Sequence, residues 1–272
     1  MGYFRFDAGT SEYLHQRRYP RHLFLMGHSG TGKSHLINKY VDANPSYVDV
    51  DKDGAEIDIR PVIIMEMPFP FSAMEFYNNL VYALGGAKLE RDKIGDVTRQ
   101  AFTLIQKQKV EMIIIDEMNY IEKGRSIKAM ELIKYVANVG QVSMVYVGTP
   151  VIDKLRTLDF EYLHRYPVVK LEPYKECDRF FIEFLGQLER QLNPKGKIGL
   201  SDLGTNIPQL LYESSQGIIG LVTQILIEAY RLAGLLDNKM DQYPELTIEL
   251  LEEAKHNIFG YLSVNELEKM II

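Results

Sequence analysis

The chain of 272 residues carries a formal net charge of −6 at pH 7, with 46% hydrophobic and 25% charged residues. This composition predicts a globular protein with enough chain for one large or two modest cores. The acidic balance excludes a surface coated in basic residues, so contact with nucleic acid would need a local patch. The single cysteine, Cys177, excludes an internal disulfide framework. Because no signal-peptide pattern and no apolar run of membrane-spanning length occurs, the sequence predicts a cytoplasmic protein without membrane contact.

Residues 1–20 are predicted to form a short N-terminal arm. They carry a basic cluster interleaved with tyrosines, which continues into Arg21 and consists of Tyr13, His15, Arg17, Arg18 and Tyr19. Two interpretations stay open for this cluster. It is either a solvated arm or a contact surface for an adenine base or for DNA.

A phosphate-binding motif follows the arm. An apolar run of strand length leads into a full match to G-x-x-x-x-G-K-[ST], and a helical pattern begins directly behind it. Glycines in such a loop let consecutive backbone N–H groups point at phosphate oxygens, and the helix N-terminus adds a favourable dipole. The lysine would reach the β- and γ-phosphates of ATP, and the serine hydroxyl would complete a Mg²⁺ shell. The predicted cofactor-binding residues are Gly27, His28, Ser29, Gly30, Thr31, Gly32, Lys33, Ser34 and His35.

Strand and helix patterns alternate in the next part of the chain. Branched apolar runs indicate strands, and a serine followed three residues later by a glutamate indicates the start of a helix. The alternation predicts a parallel sheet with right-handed crossovers. The predicted elements are a loop over 42–60, a strand over 61–67, a helix from the Ser72–Glu75 capping box to residue 84, a helix over 96–108 and a strand over 111–117.

Two acids end the strand predicted over 111–117. A buried parallel strand is a continuous apolar run, and ligands bind beyond the carboxyl ends of such strands. Asp116 is therefore predicted to hold Mg²⁺ through water, and Glu117 to orient or deprotonate the attacking water. We count two strand-helix units between the phosphate loop and this strand. That count is typical of the additional-strand class of NTPases, which carry a catalytic glutamate.

Two further residues are predicted to serve phosphoryl transfer. A helix is predicted over 126–138 and a strand over 141–149, which places Thr149 near the γ-phosphate as a sensor, or as a helix N-cap, or as both. Pro150 is predicted to open the next helix. Arg165 precedes the last strand, predicted over 168–171. From there it can reach the nucleotide of a neighbouring subunit as an arginine finger, which stabilises the charge that develops during phosphoryl transfer. Arg156 is the rival for that role.

From Lys175 onward the pattern is helical only. The predicted helices cover 176–192, 207–215, 218–236 and 247–259. The sequence therefore predicts an α/β nucleotide-binding subdomain over 21–173, a small helical lid over 174–259 and a C-terminal tail over 260–272.

These motifs together resemble the AAA+ ATPases, and more narrowly the TniB/TnsC transposition ATPases. The resemblance covers residues 19–235. It rests on RRYPRHLFLMGHSGTGKS, VIIMEMPFP, VEMIIIDEMNYI, MVYVGTP, RYPVVKLEPY and SQGIIG, in this order. It implies the fold of P-loop NTPases of the AAA+ class, with ATP and Mg²⁺ as cofactors.

The resemblance also implies partners and roles. Members of the family assemble on double-stranded DNA as ATP-dependent rings or filaments, and link a target selector of the TniQ type to a transposase. Carried over by position, Glu117 is catalytic, Thr149 is the sensor and Arg165 acts in trans. One departure concerns the lid, where Leu221 and Val222 stand in place of a sensor arginine. The residues implied to contact DNA are Ser72, Lys88, Arg91 and Lys93, through sequence-independent phosphate contacts.

Two alternatives compete with a transposition ATPase. A helicase loader of the IstB or DnaC kind is suggested by GTGKSHL, although such chains usually carry an additional N-terminal domain and little beyond the last strand. A slow nucleotide-switched signalling or scaffold protein is the other alternative, and Glu117 argues against it.

Overall fold

The computed structural model describes residues 20–50, 52–87, 93–121, 123–192, 199–234 and 246–260. The chain divides into two compact units. Of the described residues, those within 20–27 and 33–171 form the α/β unit, and those within 28–32 and 172–260 form the helical unit. The predicted arm and tail lie outside the described residues, except for Pro20 and Gly260.

A five-stranded sheet runs through the α/β unit. Its strands are β1 (His22–Gly27), β4 (Val62–Glu66), β5 (Met112–Asp116), β6 (Ser143–Gly148) and β7 (Val168–Leu171). The strand order is β4-β5-β6-β1-β7, and every neighbouring pair is parallel. The carboxyl ends of β1, β5 and β6 therefore meet at one edge of the sheet, and this edge carries the predicted site.

Both faces of this sheet are covered by apolar side chains. In β1, Phe24 and Met26 pack into one core cluster, whereas Leu25 between them packs into a second cluster. In β5, Ile115 and Ile114 divide between the two clusters in the same way. Successive side chains of a strand point to opposite faces, so a strand that is buried on both faces needs a continuous apolar sequence. This confirms the predicted α/β class with a parallel sheet.

The helices of the α/β unit lie within a few residues of their predicted positions, except for a short helix over residues 160–165 that was not predicted. They are α1 (Lys33–Ala43), α2 (Ala73–Ala83), α3 (Ile94–Lys107), α4 (Ser126–Gly140), α5 (Asp153–Arg156) and α6 (Phe160–Arg165), with 3₁₀ turns at Met118–Tyr120, Lys123–Arg125 and Pro150–Ile152. The predicted capping box of α2 is half present: the Ser72 hydroxyl accepts a hydrogen bond from the Glu75 backbone N–H at 3.1 Å. Pro150 opens a 3₁₀ turn, and the α-helix follows only at Asp153.

The prediction of a loop over 42–60 is wrong. The segments β2 (Tyr47–Val50) and β3 (Glu56–Ile59) pair antiparallel and form a two-stranded sheet of their own. Their sequences, YVDV and EIDI, alternate apolar and acidic residues, which is a strand signal that the high polar content of the segment obscured. Gly54 lies between them with a positive φ of 82°, as a tight turn requires.

The count of two strand-helix units before β5 is also wrong. Among the described residues, β4 is the only strand of the five-stranded sheet between β1 and β5 in the chain. The additional strand in space is β6, which lies between β5 and β1. The strand order therefore agrees with the additional-strand class that the sequence favoured, although the count that led to this class was wrong.

The described part of the helical unit contains helices and no strand, as predicted. Its helices are α7 (Arg179–Leu192), α8 (Ile207–Ser215), α9 (Ile219–Leu232) and α10 (Ile248–Phe259). Helix α7 starts three residues later than predicted, because the Asp178 carboxylate accepts hydrogen bonds from the backbone N–H groups of Phe180 and Phe181. The core of the unit is built from side chains such as Phe181, Leu211 and Val222. No helix in the described ranges has both the length and the apolar character needed to cross a bilayer.

The glycines of the SQGIIG segment have packing roles inside the helical unit. A β-carbon at Gly217 would lie 2.0 Å from the Tyr174 carbonyl oxygen, and a β-carbon at Gly220 would lie 2.9 Å from the Gly30 Cα. Residues 28–32 belong to this unit, and the Gly220 N–H donates a 2.8 Å hydrogen bond to the Gly30 carbonyl. The close approach of two backbones explains why glycines occur here.

Candidate nucleotide-binding and catalytic site

The phosphate loop connects the end of β1 to the start of α1. Gly30 and Gly32 have positive φ angles of 77° and 91°, so the loop needs residues without a β-carbon at both positions. The Thr31 hydroxyl donates to the His28 carbonyl at 2.8 Å and closes a tight turn. The Lys33 ammonium donates to the Gly27 carbonyl at 2.7 Å, so the side chain turns back toward the carboxyl end of β1. Ser34 and His35 lie exposed in the first turn of α1.

Asp116 and Glu117 lie at the carboxyl end of β5, near Lys33 within the α/β unit. Burial lowers the pKa of Lys33, and the charges of the two carboxylates act in the opposite direction. Burial is also the main cause that raises the pKa of Asp116, to which the nearby Glu117 charge adds. A half-buried acid of this kind is stabilised by a neighbouring cation. The structure thus brings the predicted lysine and the two predicted acids to one edge of the sheet.

The residues at this edge fit a nucleotide with its magnesium ion. A β-carbon at Gly32 would meet nothing within 4 Å, so the space beside the loop is open at this point. Within the described ranges, no group of three or more His, Cys, Asp or Glu side chains is placed to hold a metal by itself. Magnesium commonly takes one or two protein oxygens and completes its shell with water and phosphate oxygens. Ser34 and Asp116 would supply such oxygens, and this assignment stays a prediction.

Glu117 is held by a neighbour that the sequence analysis did not single out. It has a left-handed backbone with φ 55°, and its N–H donates to the Asp116 carboxylate at 2.8 Å. The Asn119 side-chain amide donates to the Glu117 carboxylate at 2.7 Å, and its oxygen accepts from the Thr149 backbone N–H at 3.1 Å. Asn119 therefore connects the predicted catalytic glutamate to the predicted sensor. The only sequence signal was the position of an amide side chain two residues after Glu117.

Thr149 follows the last residue of β6 directly. The parallel pairing of β6 with β1 and β5 places Thr149 at the same edge of the sheet as the carboxyl ends of β1 and β5. It also precedes the 3₁₀ turn at Pro150–Ile152, and its side chain makes no capping hydrogen bond there. The Thr149 hydroxyl therefore does not act as a helix cap. The interpretation of Thr149 as a sensor stays a prediction.

Arg165 lies at the opposite end of the sheet. It is the last residue of α6, and it lines a cavity of about 270 Å³ together with His22, the first residue of β1. Since β1 contains six residues, its two ends are separated by roughly 16 Å. This exceeds the reach of an arginine side chain, so Arg165 does not serve the phosphate loop of its own chain.

The two candidate fingers differ in exposure and in their contacts. The Arg165 side chain is 57% exposed and pairs with the Glu161 carboxylate at 2.9 Å, which also pairs with Lys134. The Arg156 side chain is 21% exposed, pairs with Asp153 at 3.0 Å and approaches the Tyr166 carbonyl at 3.5 Å. Arg165 is thus more accessible than Arg156 to a neighbouring molecule.

The residues implied to contact DNA are only partly described. Lys88 and Arg91 lie outside the described residues, whereas Ser72 is the N-cap of α2 and Lys93 the N-cap of α3. Ser72 lines a groove of about 460 Å³. Two basic side chains from the helical segment after β5, Arg125 and Lys128, line the same groove. The sequence analysis did not assign these two residues to DNA contact, although both stand in a basic helix start.

Comparisons with known proteins place this geometry in a family. The chain is similar in fold to Cdc6p from Pyrobaculum aerophilum, with a TM-score of 0.63 and 14% identity over 94% of this chain and 66% of that one. It is also similar to the Orc1 protein of Aeropyrum pernix in complex with DNA, with a TM-score of 0.54 and 15% identity over 88% and 60% of the two chains. Drosophila ORC bound to DNA gives a TM-score of 0.58 and 11% identity over 93% and 59%. The chain therefore spans about two thirds or less of these structures.

The fold class is settled by these likenesses together with the sheet order. It is the α/β fold of the AAA+ P-loop NTPases, followed by an all-helical region of the lid kind. No curated protein matches the sequence. The family model described as bacterial TniB protein matches residues 9–176, which is more than half of the chain. The resemblance seen in the motifs is thereby confirmed, and this chain belongs to the TniB family.

Proposed function

We propose that this chain is a Mg²⁺-dependent ATPase that oligomerises on double-stranded DNA and couples target-site selection to transposase recruitment. The observation that carries the enzymatic part is the meeting of Lys33, Asp116 and Glu117 at the carboxyl edge of the sheet. Membership of the TniB family supports the assignment to transposition. We place the protein in the cytoplasm.

The roles of the residues follow from their chemistry. The backbone N–H groups of residues 27–32 and the Lys33 ammonium would bind the phosphates of ATP, and Ser34 with Asp116 would hold the magnesium ion. The bound metal ion would neutralise charge that develops on the phosphate oxygens. Glu117 would accept a proton from the attacking water, and Thr149 would donate a hydrogen bond near the γ-phosphate.

DNA contact is supported from two directions. Two of the structural neighbours, the archaeal Orc1 protein and Drosophila ORC, are in complexes with DNA. In this chain, Arg125 and Lys128 lie beside Ser72 along one groove, and none of the described residues that line this groove is acidic. Cations and hydroxyls of this kind bind phosphates without reading sequence, so the affinity would fall steeply as salt rises. Lys88, Arg91 and Lys93 complete the proposed contact set.

Assembly is supported by the location of Arg165. An arginine that cannot reach the phosphate loop of its own chain, yet is exposed beside Glu161, suits a site on a neighbouring copy. We propose a ring or helical homo-oligomer in which each nucleotide lies between two subunits. The transposase and a target selector of the TniQ type would bind this oligomer.

Electron microscopy on linear duplex DNA tests the proposal. The wild-type chain with a non-hydrolysable ATP analogue should form rings or filaments, whereas Lys33→Ala should form none because the phosphates lose their main cation. Glu117→Gln should assemble but not turn ATP over, since the carboxylate and not the fold is changed. ATP turnover with and without DNA is measured on the same three proteins.

Two outcomes would contradict the proposal. Only monomers for the wild type across a low-salt series would exclude assembly on DNA. Equal and slow ATP turnover by the wild type and Glu117→Gln in the presence of DNA would exclude the enzyme and favour a nucleotide-switched scaffold.

A further inference from the structure

Asn119 uses both polar atoms of its side-chain amide to connect Glu117, the proposed catalytic base, with Thr149, the proposed sensor. Its nitrogen donates to the Glu117 carboxylate at 2.7 Å, and its oxygen accepts from the Thr149 backbone N–H at 3.1 Å. Glu117 follows β5, and Thr149 follows β6. The amide therefore bridges the ends of two adjacent parallel strands.

The surroundings of Asn119 leave it little freedom to move away. It lies in the middle of the 3₁₀ turn Met118–Tyr120, in which the Tyr120 N–H donates to the Glu117 carbonyl at 2.9 Å. A β-carbon on Gly148 would lie 2.6 Å from the Asn119 side-chain oxygen and 2.8 Å from a methyl of Ile152. The bridge thus depends on the absence of a side chain at Gly148, and Asn119 packs directly on the backbone that leads into Thr149.

An unpaired glutamate at the end of a strand would sample several rotamers. A charge-assisted hydrogen bond that selects one rotamer holds the carboxylate in a single orientation. Because the same amide also holds the Thr149 N–H, a shift of residues 148–149 would be transmitted to the Glu117 carboxylate through a single side chain.

We propose that Asn119 is a positioning residue that couples the Glu117 carboxylate to the Thr149 segment, so that the sensor sets the orientation of the catalytic base. The proposal rests on the proposed function for its catalytic consequence. The bridge itself is a property of the free protein and is tested there as well.

Two substitutions separate the two halves of the bridge. Asn119→Asp keeps an oxygen that accepts from the Thr149 N–H, but it replaces the donor to Glu117 by a second carboxylate. Asn119→Leu keeps a similar volume and removes both hydrogen bonds. Each is made in the full chain, and Asn119→Asp is also combined with Glu117→Gln.

Steady-state kinetics give the first measurement. Asn119→Asp should lower kcat by about 10- to 100-fold, because the base loses its orientation, while KM for ATP changes by less than about threefold. In the Glu117→Gln background, Asn119→Asp should have no further effect on kcat, since the group that it positions is already gone.

Hydrogen exchange of the nucleotide-free protein gives the second measurement. The Thr149 amide should exchange at least about 10-fold faster in Asn119→Leu than in the wild type, and should stay protected in Asn119→Asp. A purely structural role in the turn would instead lower thermal stability and nucleotide affinity together in both variants.

The proposal is overturned by wild-type kcat in Asn119→Asp, or by unchanged Thr149 exchange in Asn119→Leu. These failures differ from a failure of the proposed function. If the wild type hydrolyses ATP no faster than Lys33→Ala, the enzyme assignment falls, whereas the exchange measurement still decides whether Asn119 holds Thr149.

Discussion

At the scale of single residues, His22 shows how burial sets a charge state. It opens β1 and is 9% exposed, between the rings of Tyr146 and Tyr166. Burial is the largest cause that lowers its pKa to about 4, and the charges of Lys134 and Arg165 lower it further, whereas Glu161 raises it. The folded protein therefore holds this imidazole neutral at pH values at which the unfolded chain protonates it.

This predicts a specific pH dependence of stability. Between pH 6.5 and about 4 the unfolded chain binds a proton at His22 and the folded chain does not, so the free energy of unfolding should fall as the pH falls. The contribution lost is roughly 3 kcal/mol. Urea unfolding of the wild type and of His22→Gln across this range measures it. The difference between the two should be constant above pH 6.5 and should change below it.

A control for general acid effects is His164→Gln, because His164 is exposed on α6. This variant shows whether the loss of a histidine in general changes the slope. If His22→Gln shows the same slope as the wild type, the imidazole is protonated in the folded protein and the assigned pKa is wrong.

The residues of the phosphate loop and the two acids were predictable, because short motifs in a strand-loop-helix context fix their chemistry. Asn119 was not predictable in the same way. Its role depends on the left-handed backbone of Glu117 and on the register that brings Thr149 next to β5. Neither feature can be predicted from the local sequence. Long-range hydrogen bonds of this kind follow from the fold and not from spacing.

At the scale of elements, periodicity predicted the strands and helices of the core but missed the β2–β3 hairpin. Its side chains are only partly covered: Tyr47, Val48 and Val50 are all more than half exposed. A strand that is stabilised by backbone pairing rather than by burial gives a weak hydrophobic signal.

The turn between α8 and α9 yields a prediction for the helical unit. Gly217 has a φ of 69°, its N–H donates to the Tyr212 carbonyl at 3.4 Å, and its carbonyl accepts from the Tyr174 N–H at 3.0 Å. Because a β-carbon there would lie 2.0 Å from the Tyr174 oxygen, Gly217→Ala should destabilise this unit by more than about 3 kcal/mol. Urea unfolding followed by far-ultraviolet circular dichroism measures the loss.

Gly95→Ala is the matched control, since a β-carbon at Gly95 meets nothing within 4 Å and its place inside α3 favours alanine. It should be neutral or slightly stabilising. A Gly217→Ala protein as stable as Gly95→Ala would show that the turn can rearrange, and that the backbone contact at Tyr174 is dispensable.

At the scale of the whole molecule, the chain places the residues proposed for one reaction at two opposite ends of its sheet. Lys33, Asp116 and Glu117 lie at the carboxyl edge, and Arg165 lies beside the amino end of β1. A monomer that separates these groups by the length of a strand cannot use them together. Stacking copies so that the amino end of one faces the carboxyl edge of the next would complete each site, and this makes turnover dependent on assembly.

Mixing two inactive variants tests this arrangement. Arg165→Ala keeps its own Glu117, and Glu117→Gln keeps its own Arg165, so each variant alone should bind ATP but hydrolyse almost none. In an equal mixture that assembles on DNA at random, about one quarter of the junctions pair an intact Glu117 with an intact Arg165 from the neighbour, and the turnover should recover to that extent. If the mixture stays inactive although it assembles, the arginine does not act in trans.

Arg156→Ala is the control variant. If it abolishes turnover while Arg165→Ala does not, the finger is Arg156, although the contacts of Arg156 with Asp153 and with the Tyr166 carbonyl suit a structural role.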